Sequence, residues 1–185
     1  YQSPFSARAV KEAETVVAFR KPLEASARNA AEQEFTGWLE QQITATRDGF
    51  QMENHFIPSE DKIALIDRLS GFGYAKIEVT SFTSPKAIPA LADGELVMTS
   101  IRRQPGVVYT ALVPNVRGAE RALSCKLDEF NIVMSVSETH NKSNLRMTRE
   151  QSFAQLSDVI ALAKQAATPV NVSLSCAFGC PMEGD

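Results

Sequence analysis

Arg47 and Asp48 stand side by side in the stretch TATRDGFQME (Thr44–Glu53), and Glu78 lies thirty residues on in the run AKIEVTSF. An arginine held in one place takes up the charge of a carboxylate or enolate oxygen. An aspartate beside it offers a hard oxygen to a divalent cation, or acts on a proton. Neighbouring strands of a parallel sheet lie about 5 Å apart, which brings the end of a strand before Arg47 within reach of Glu78. The same residues also make an ordinary Arg–Glu ion pair across strands, with Gly49 closing a solvated turn. Residue types and spacing leave both readings open.

The remaining reactive side chains point less sharply. His55 and His140 are the two histidines, and neither has a second His or Cys at metal-ligand spacing. His140 falls in SETHNKSN, expected as a polar, solvated loop. Cys176 and Cys180 in CAFGC have three residues between them, not two, which fits neither a zinc knuckle nor a thioredoxin motif. They are expected as buried structural thiols, with substrate contact as the other option. GFG (71–73) ends a helix and does not open one, so it is not a phosphate loop.

The elements that must position these residues alternate regularly. QQITAT (41–46) is expected as a short strand, with Arg47-Asp48-Gly49 as the turn at its end. SEDKIALIDRLSGFG (59–73) predicts a helix with Ser59 as N-cap, Ile63, Ile66 and Leu69 on one stripe, and Lys62 and Asp67 outward. Strands are expected at 75–82, 106–115, 129–138 and 169–176. Helices are expected at 89–103, where Gly94 is a weak point, at 116–125, and at 147–166 with Thr148 as cap. This βα alternation predicts a parallel sheet. Within KIEVT, Ile77 and Val79 share one face while Glu78 and Thr80 share the other. Val170, Val172 and Leu174 alternate with Asn171, Ser173 and Ser175. Apolar faces packed on helices would leave a polar interior, and polar strand ends are where a parallel barrel builds its site. Such a barrel needs eight strands and typically about 250 residues, whereas five strands are visible here. The expected architecture is an incomplete (β/α)8 TIM barrel. An open five-stranded, flavodoxin-like sheet is the alternative, although that fold usually ends on a covering helix and none is visible after the last strand.

Composition excludes several classes. The 185 residues carry a net charge of −3 and no basic footprint for nucleic acid. No apolar run is long enough to span a bilayer, so no membrane partner is expected. Six Glu among the first forty residues argue against an acid-poor transit peptide. Three cysteines in all are too sparse for a disulfide scaffold and fit a reducing compartment. A cytoplasmic location is expected, and a mitochondrial one is left open.

RDGFQME, DKIALIDRLSGFGYAKIEVTSFTSPKAIPALAD, YTALVPN, SETHNKSN and SCAFGCPMEG, in that order, resemble hydroxymethylglutaryl-CoA lyase over about residues 46–185. The resemblance implies a TIM barrel with a divalent cation, Mg²⁺ or Mn²⁺. It also implies cleavage of 3-hydroxy-3-methylglutaryl-CoA to acetyl-CoA and acetoacetate, a reverse Claisen reaction. Carried over by residue, it makes Asp48 a metal ligand and Arg47 the stabiliser of the enolate oxygen. Glu78 becomes the acidic partner that arranges Arg47 and the hydroxyl proton transfer, and Gln51 a substrate-binding residue. It further implies an acyl-CoA substrate and a homo-oligomer for the complete enzyme. The chain departs from the family pattern in three ways. Ala45-Thr46 stands where the family has Gly-Pro, no Arg stands near Asn171, and the family's His-x-His ligands and catalytic-cysteine loop belong to later strands. Residues 1–185 alone are therefore expected to associate and to lack lyase activity. A Claisen-type acyltransferase of the isopropylmalate or homocitrate synthase kind, and a non-catalytic barrel fragment or assembly subunit, are the alternative readings. Residues 1–43 read as a helical leader that loosely resembles the C-terminal helices of the enoyl-CoA hydratase family, and 44–185 as the N-terminal part of the lyase domain.

Overall fold

A computed structural model describes residues 42–43 and 45–184 of the chain. The leader expected over 1–43 lies outside the described residues except for Gln42–Ile43, and these form a strand. The elements, in order, are β1 (Gln42–Ile43), α1 (Ala45–Met52), α2 (Ser59–Ser70), β2 (Lys76–Ser81), α3 (Gly94–Ser100) and β3 (Val108–Leu112). They continue as α4 (Val116–Ser124), β4 (Glu129–Ser135), α5 (Glu138–Leu145), α6 (Arg149–Gln165) and β5 (Val170–Ser175). Among the described residues the sheet has five strands in the order β1-β2-β3-β4-β5, each parallel to its neighbour. Strictly sequential order with right-handed crossovers puts every crossover helix on one face. A doubly wound sheet would reverse its order partway. The architecture is thus a partial (β/α)8 barrel, with a helix-covered outer face and a polar inner one.

The outer face carries the apolar members of the strand alternation. Ile77, Val79, Tyr109, Ala111, Phe130 and Ile132 are buried, together with Ile66, Val97, Met98, Ala119, Leu156 and Val159 of the helices. Fully burying a side chain of this size stabilises by about 1.5–3 kcal/mol. The Tyr109 hydroxyl donates to Ser70 Oγ (2.9 Å) and accepts from the Gln104 N–H (2.9 Å), so its polar end is satisfied inside this layer. Val172 and Leu174 on β5 are exposed, as the alternation predicts for an uncovered outer face.

Several local expectations need correction. Arg47-Asp48-Gly49 is not a turn but the middle of α1, and the strand expected over 41–46 is limited to Gln42–Ile43. Pro58, not Ser59, occupies the N-cap of α2; the Ser59 hydroxyl bonds Asp93 Oδ2 at 2.6 Å instead. Lys62 points inward and is fully buried, and Asp67 is half-buried against Arg102. The helix expected over 89–103 is a single 3₁₀ turn, Pro89–Leu91, followed by α3. Gly94 begins α3 and does not weaken it, because a Cβ there would meet Thr80 Oγ1 at 2.9 Å. The polar run expected as a loop around His140 is α5, capped by Ser137 Oγ, which accepts from the His140 N–H at 3.0 Å. Thr148 caps α6 as expected, in a reciprocal capping box with Gln151.

Two glycines in helices give opposite expectations. At Gly118 an added Cβ would sit 2.9 Å from the Phe82 carbonyl oxygen, which is backbone and cannot swing away. Gly118→Ala should therefore destabilise by about 1–2 kcal/mol, overpacking outweighing helix propensity. At Gly49 nothing lies within 4 Å, and Gly49→Ala should stabilise by roughly 0.5–1 kcal/mol. Urea midpoints of the two variants beside the parent check both signs.

Candidate active site

The site is assembled where β1 and β2 open at their carboxyl ends. Ala45–Met52 turns helical directly after β1, and Thr46, buried, donates its hydroxyl to the Glu78 carbonyl at 2.5 Å. That bond ties the start of α1 to β2 where the β2–β3 register shifts, between Glu78 and Thr80. The Thr46 side chain is thus a strut. It leaves Arg47 with its Nη2 3.3 Å from Glu78 Oε2 while Nη1 pairs with the Asp48 carboxylate. The Arg47 side chain is 20% exposed and Glu78 4%, against 55% for Asp48. The Arg47 Nε is buried and has no partner among the described residues.

Glu78 is supported from the other side by the inner face of the sheet. The Asn131 amide of β4 hydrogen-bonds its carboxylate. The same amide donates to Thr110 Oγ1 of β3 at 2.9 Å, while Asn131 Oδ1 accepts from Asn171 Nδ2 of β5 at 3.3 Å. A continuous polar chain therefore runs from α1 across β2, β3, β4 and β5. Asn131 and Thr110 were not singled out from the sequence. The signal was available: Glu129 and Asn131 alternate with Phe130 and Ile132, which places them on the polar inner face.

Burial pushes the Glu78 carboxyl above its ordinary value of 4.5; Arg47 and the Asn131 amide offset this only in part, and the Asp48 charge adds to it. The folded state therefore holds this proton more tightly than the unfolded chain. Its contribution to stability is fully present below the ordinary carboxylate range and is lost as pH rises through the raised pKa. Glu78→Gln should gain stability relative to the parent as pH rises from the ordinary carboxylate range through the raised pKa, read as diverging urea midpoints. Parallel midpoints across that range would contradict the raised pKa.

The structure brings Arg47, Asp48 and Glu78 together. Gln51 lies one turn further along α1, where it lines an open cavity of about 410 Å³ with His55, Phe56, Ile88 and Pro89. Neither Arg47 nor Glu78 lines that cavity. His55 is exposed, and the buried Nδ1 of His140 has no partner among the described residues. Among the described residues no group of three or more His, Cys, Asp or Glu is placed to hold a metal ion. Asp48 offers an outward carboxylate here, one donor of the six or so that a hard cation takes. No described helix is long and apolar enough to cross a membrane.

Comparison with known proteins agrees with the fold. Residues 41–184 match the HMGL-like family model. The chain is 46% identical over 139 residues to hydroxymethylglutaryl-CoA lyase YngG of Bacillus subtilis, covering 75% of this chain and 46% of the relative. It is 41% identical over 138 residues to the cytoplasmic 3-hydroxy-3-methylglutaryl-CoA lyase of Danio rerio, covering 75% and 41%. The crystal structure of the B. subtilis HMG-CoA lyase superposes with a TM-score of 0.75 at 44% identity, over 78% of this chain and 48% of that one. The HMG-CoA lyase of A. baumannii, solved in complex with coenzyme A and 3-methylmalate, gives 0.73 at 45% identity, over 78% and 47%. The chain spans somewhat under half the length of these relatives. The match begins at residue 41, so the enoyl-CoA hydratase likeness of residues 1–43 gains no support from it. A sequential parallel sheet and a match running from β1 past β5 lead to one conclusion: the chain belongs to the HMGL-like family.

Proposed function

We propose that residues 46–184 carry the N-terminal part of the active site of a carbon–carbon lyase acting on 3-hydroxy-3-methylglutaryl-CoA. The observation that supports this most is the Arg47 guanidinium. It is largely buried, fixed by Glu78, and retains a buried N–H with no partner among the described residues. A buried donor left unsatisfied is costly and calls for an explanation. An oxygen that gains negative charge during the reaction is such an explanation.

Cleavage needs the C3 hydroxyl to lose its proton and the departing two-carbon unit to be held as an enolate. In this reading Arg47 meets the enolate oxygen. Its guanidinium is oriented beforehand, so little reorganisation accompanies charge development. Glu78 holds Arg47 and is the carboxyl through which the hydroxyl proton passes; a carboxyl whose pKa burial raises holds a proton more readily than a free one, which suits a group that must both take and give it. Gln51, one turn along α1, contacts the acyl-CoA. Asp48 supplies one oxygen to a divalent cation, Mg²⁺ or Mn²⁺, whose charge when bound favours the ionised hydroxyl. The remaining donors, the homo-oligomeric state and a cytoplasmic setting belong to the same proposal.

A joined barrel tests it. Residues 46–184 replace the matching segment of the B. subtilis lyase, and acetoacetate release from the CoA thioester is measured with Mg²⁺ or Mn²⁺. Metal-dependent release is expected. A folded joined barrel that binds metal yet releases no acetoacetate would overturn the assignment.

A further inference from the structure

After β5 the chain folds back on itself and closes around a sulfur. Cys176–Phe178 form a turn, with Cys176 at φ +60°, in the left-handed region that side chains rarely adopt. Gly179 follows at φ +137°, and Cys180 then bridges Gly184 through two backbone hydrogen bonds of 2.9 and 2.8 Å. The fold-back seats Cys180 Sγ at the end of β4, donating to Ser137 Oγ at 3.0 Å and accepting from the Met182 N–H at 3.4 Å. The Glu183 N–H and the Cys176 thiol also lie within hydrogen-bonding reach of that sulfur.

This surround favours a thiolate. The Ser137 hydroxyl can turn to donate once the thiol proton leaves, and with the Met182 and Glu183 N–H groups and the Cys176 thiol it holds the Cys180 thiol below its ordinary range. Burial opposes this at Cys180 without overcoming it, whereas at Cys125 burial prevails and pushes the thiol up. The chain thus carries a poised thiol, a second thiol beside it, and an internal control.

We propose that Cys176 and Cys180 form a peroxide-oxidisable dithiol, in which Cys180 is attacked first and Cys176 closes the disulfide. The Cys180 thiolate attacks one peroxide oxygen; the O–O bond breaks, leaving a sulfenic acid, and the departing hydroxide takes up the thiol proton as water. The Cys176 sulfur then attacks the Cys180 sulfur. The S–S bond forms, the S–O bond breaks, and the hydroxyl leaves with the Cys176 proton as a second water. Two thiols give up two electrons and two protons, and hydrogen peroxide takes them.

The test uses the full chain and hydrogen peroxide near neutral pH, followed by denaturation, alkylation with iodoacetamide and mass spectrometry. No Lys or Arg follows Lys164, so trypsin leaves both thiols on the peptide that starts at Gln165. That peptide should become lighter by two hydrogens and refuse alkylation, reversibly with dithiothreitol, at least about tenfold faster than Cys125 is lost. In Cys176→Ser the sulfenic acid should persist on Cys180 and be trapped by dimedone. In Cys180→Ser the remaining Cys176 should oxidise no faster than Cys125. Two alkylatable thiols after peroxide, oxidation of Cys125 at the same rate, or cross-links only between chains would each overturn the proposal. The measurement on the parent decides even if a variant fails to fold.

Discussion

Arg47→Gln in the joined barrel should lower kcat by about 10²–10³-fold while KM changes little. Glutamine keeps hydrogen-bonding capacity and much of the length, but it carries no charge. An interaction that matters only once the enolate charge has formed contributes to the transition state and not to substrate binding. The loss therefore falls on turnover. Removing the guanidinium also removes the neighbour that holds the Glu78 carboxyl down. The acidic limb of the pH–rate profile should then move to higher pH. A purely structural ion pair would give neither change once the variant is shown to be folded. Arg47→Lys should fall between, because an ammonium keeps the charge but cannot bond Glu78 and Asp48 through a planar fork. A variant turning over within severalfold of the parent would remove Arg47 from the chemistry.

Asp93→Ala should destabilise the protein by about 3–5 kcal/mol, the largest stability effect expected from a single change here. Lys62 is buried, with its Nζ 2.7 Å from Asp93 Oδ1 and 2.6 Å from the Ala90 carbonyl, and 4.2 Å from the centre of the Phe56 ring. Ser59 donates to the other Asp93 oxygen at 2.6 Å. Deleting the carboxylate leaves an ammonium in apolar surroundings with one carbonyl and a ring face for company. The double variant Lys62→Met, Asp93→Ala should recover much of the loss, because no charge is then buried. Urea unfolding of the parent, both single variants and the double variant measures the coupling. An Asp93→Ala variant within about 1 kcal/mol of the parent would show that the other contacts suffice. The pair also reaches the candidate site. Through Ala90 it pins the segment that, with Phe56 and Gln51, walls the cavity beside α1.

The polar ends of the later strands show how the same sequence signal can have a different outcome. Ser137-Glu138-Thr139-His140 and Ser175-Cys176 look as reactive as Arg47-Asp48 in the bare sequence. In the structure Ser137 caps α5. Ser135 donates its hydroxyl to the Ser175 carbonyl at 3.2 Å and its N–H to Asn141 Oδ1 at 2.9 Å. Asn141, fully buried, donates in turn to Ser152 Oγ and the Met147 carbonyl. The hydroxyl, backbone and amide groups of this region thus hold α5 and α6 against β4. Arg47 Nε and His140 Nδ1 are both buried without a partner among the described residues, and Arg47 differs in carrying a fixed charge beside Asp48 and Glu78.

The sequence by itself determined the βα alternation, the parallel sheet, the partial barrel and the inner placement of Glu78. Each follows from local periodicity: a period of two separates Ile77 and Val79 from Glu78 and Thr80, and a helical stripe carries Ile66. The ordered motifs also carried the family resemblance. Tertiary structure alone decided the rest. Arg47 and Asp48 are helical, not in a turn, because Thr46 is anchored to the Glu78 carbonyl thirty-two positions away. Lys62 follows an outward pattern yet lies inside, because Asp93, Ala90 and Phe56 arrive from elsewhere in the chain to cover it. Asn131 joins the site only because β4 lies two strands from β2 on the same inner face. A side chain's period says which way it points, but the partners that make that direction stable come from residues distant in the chain.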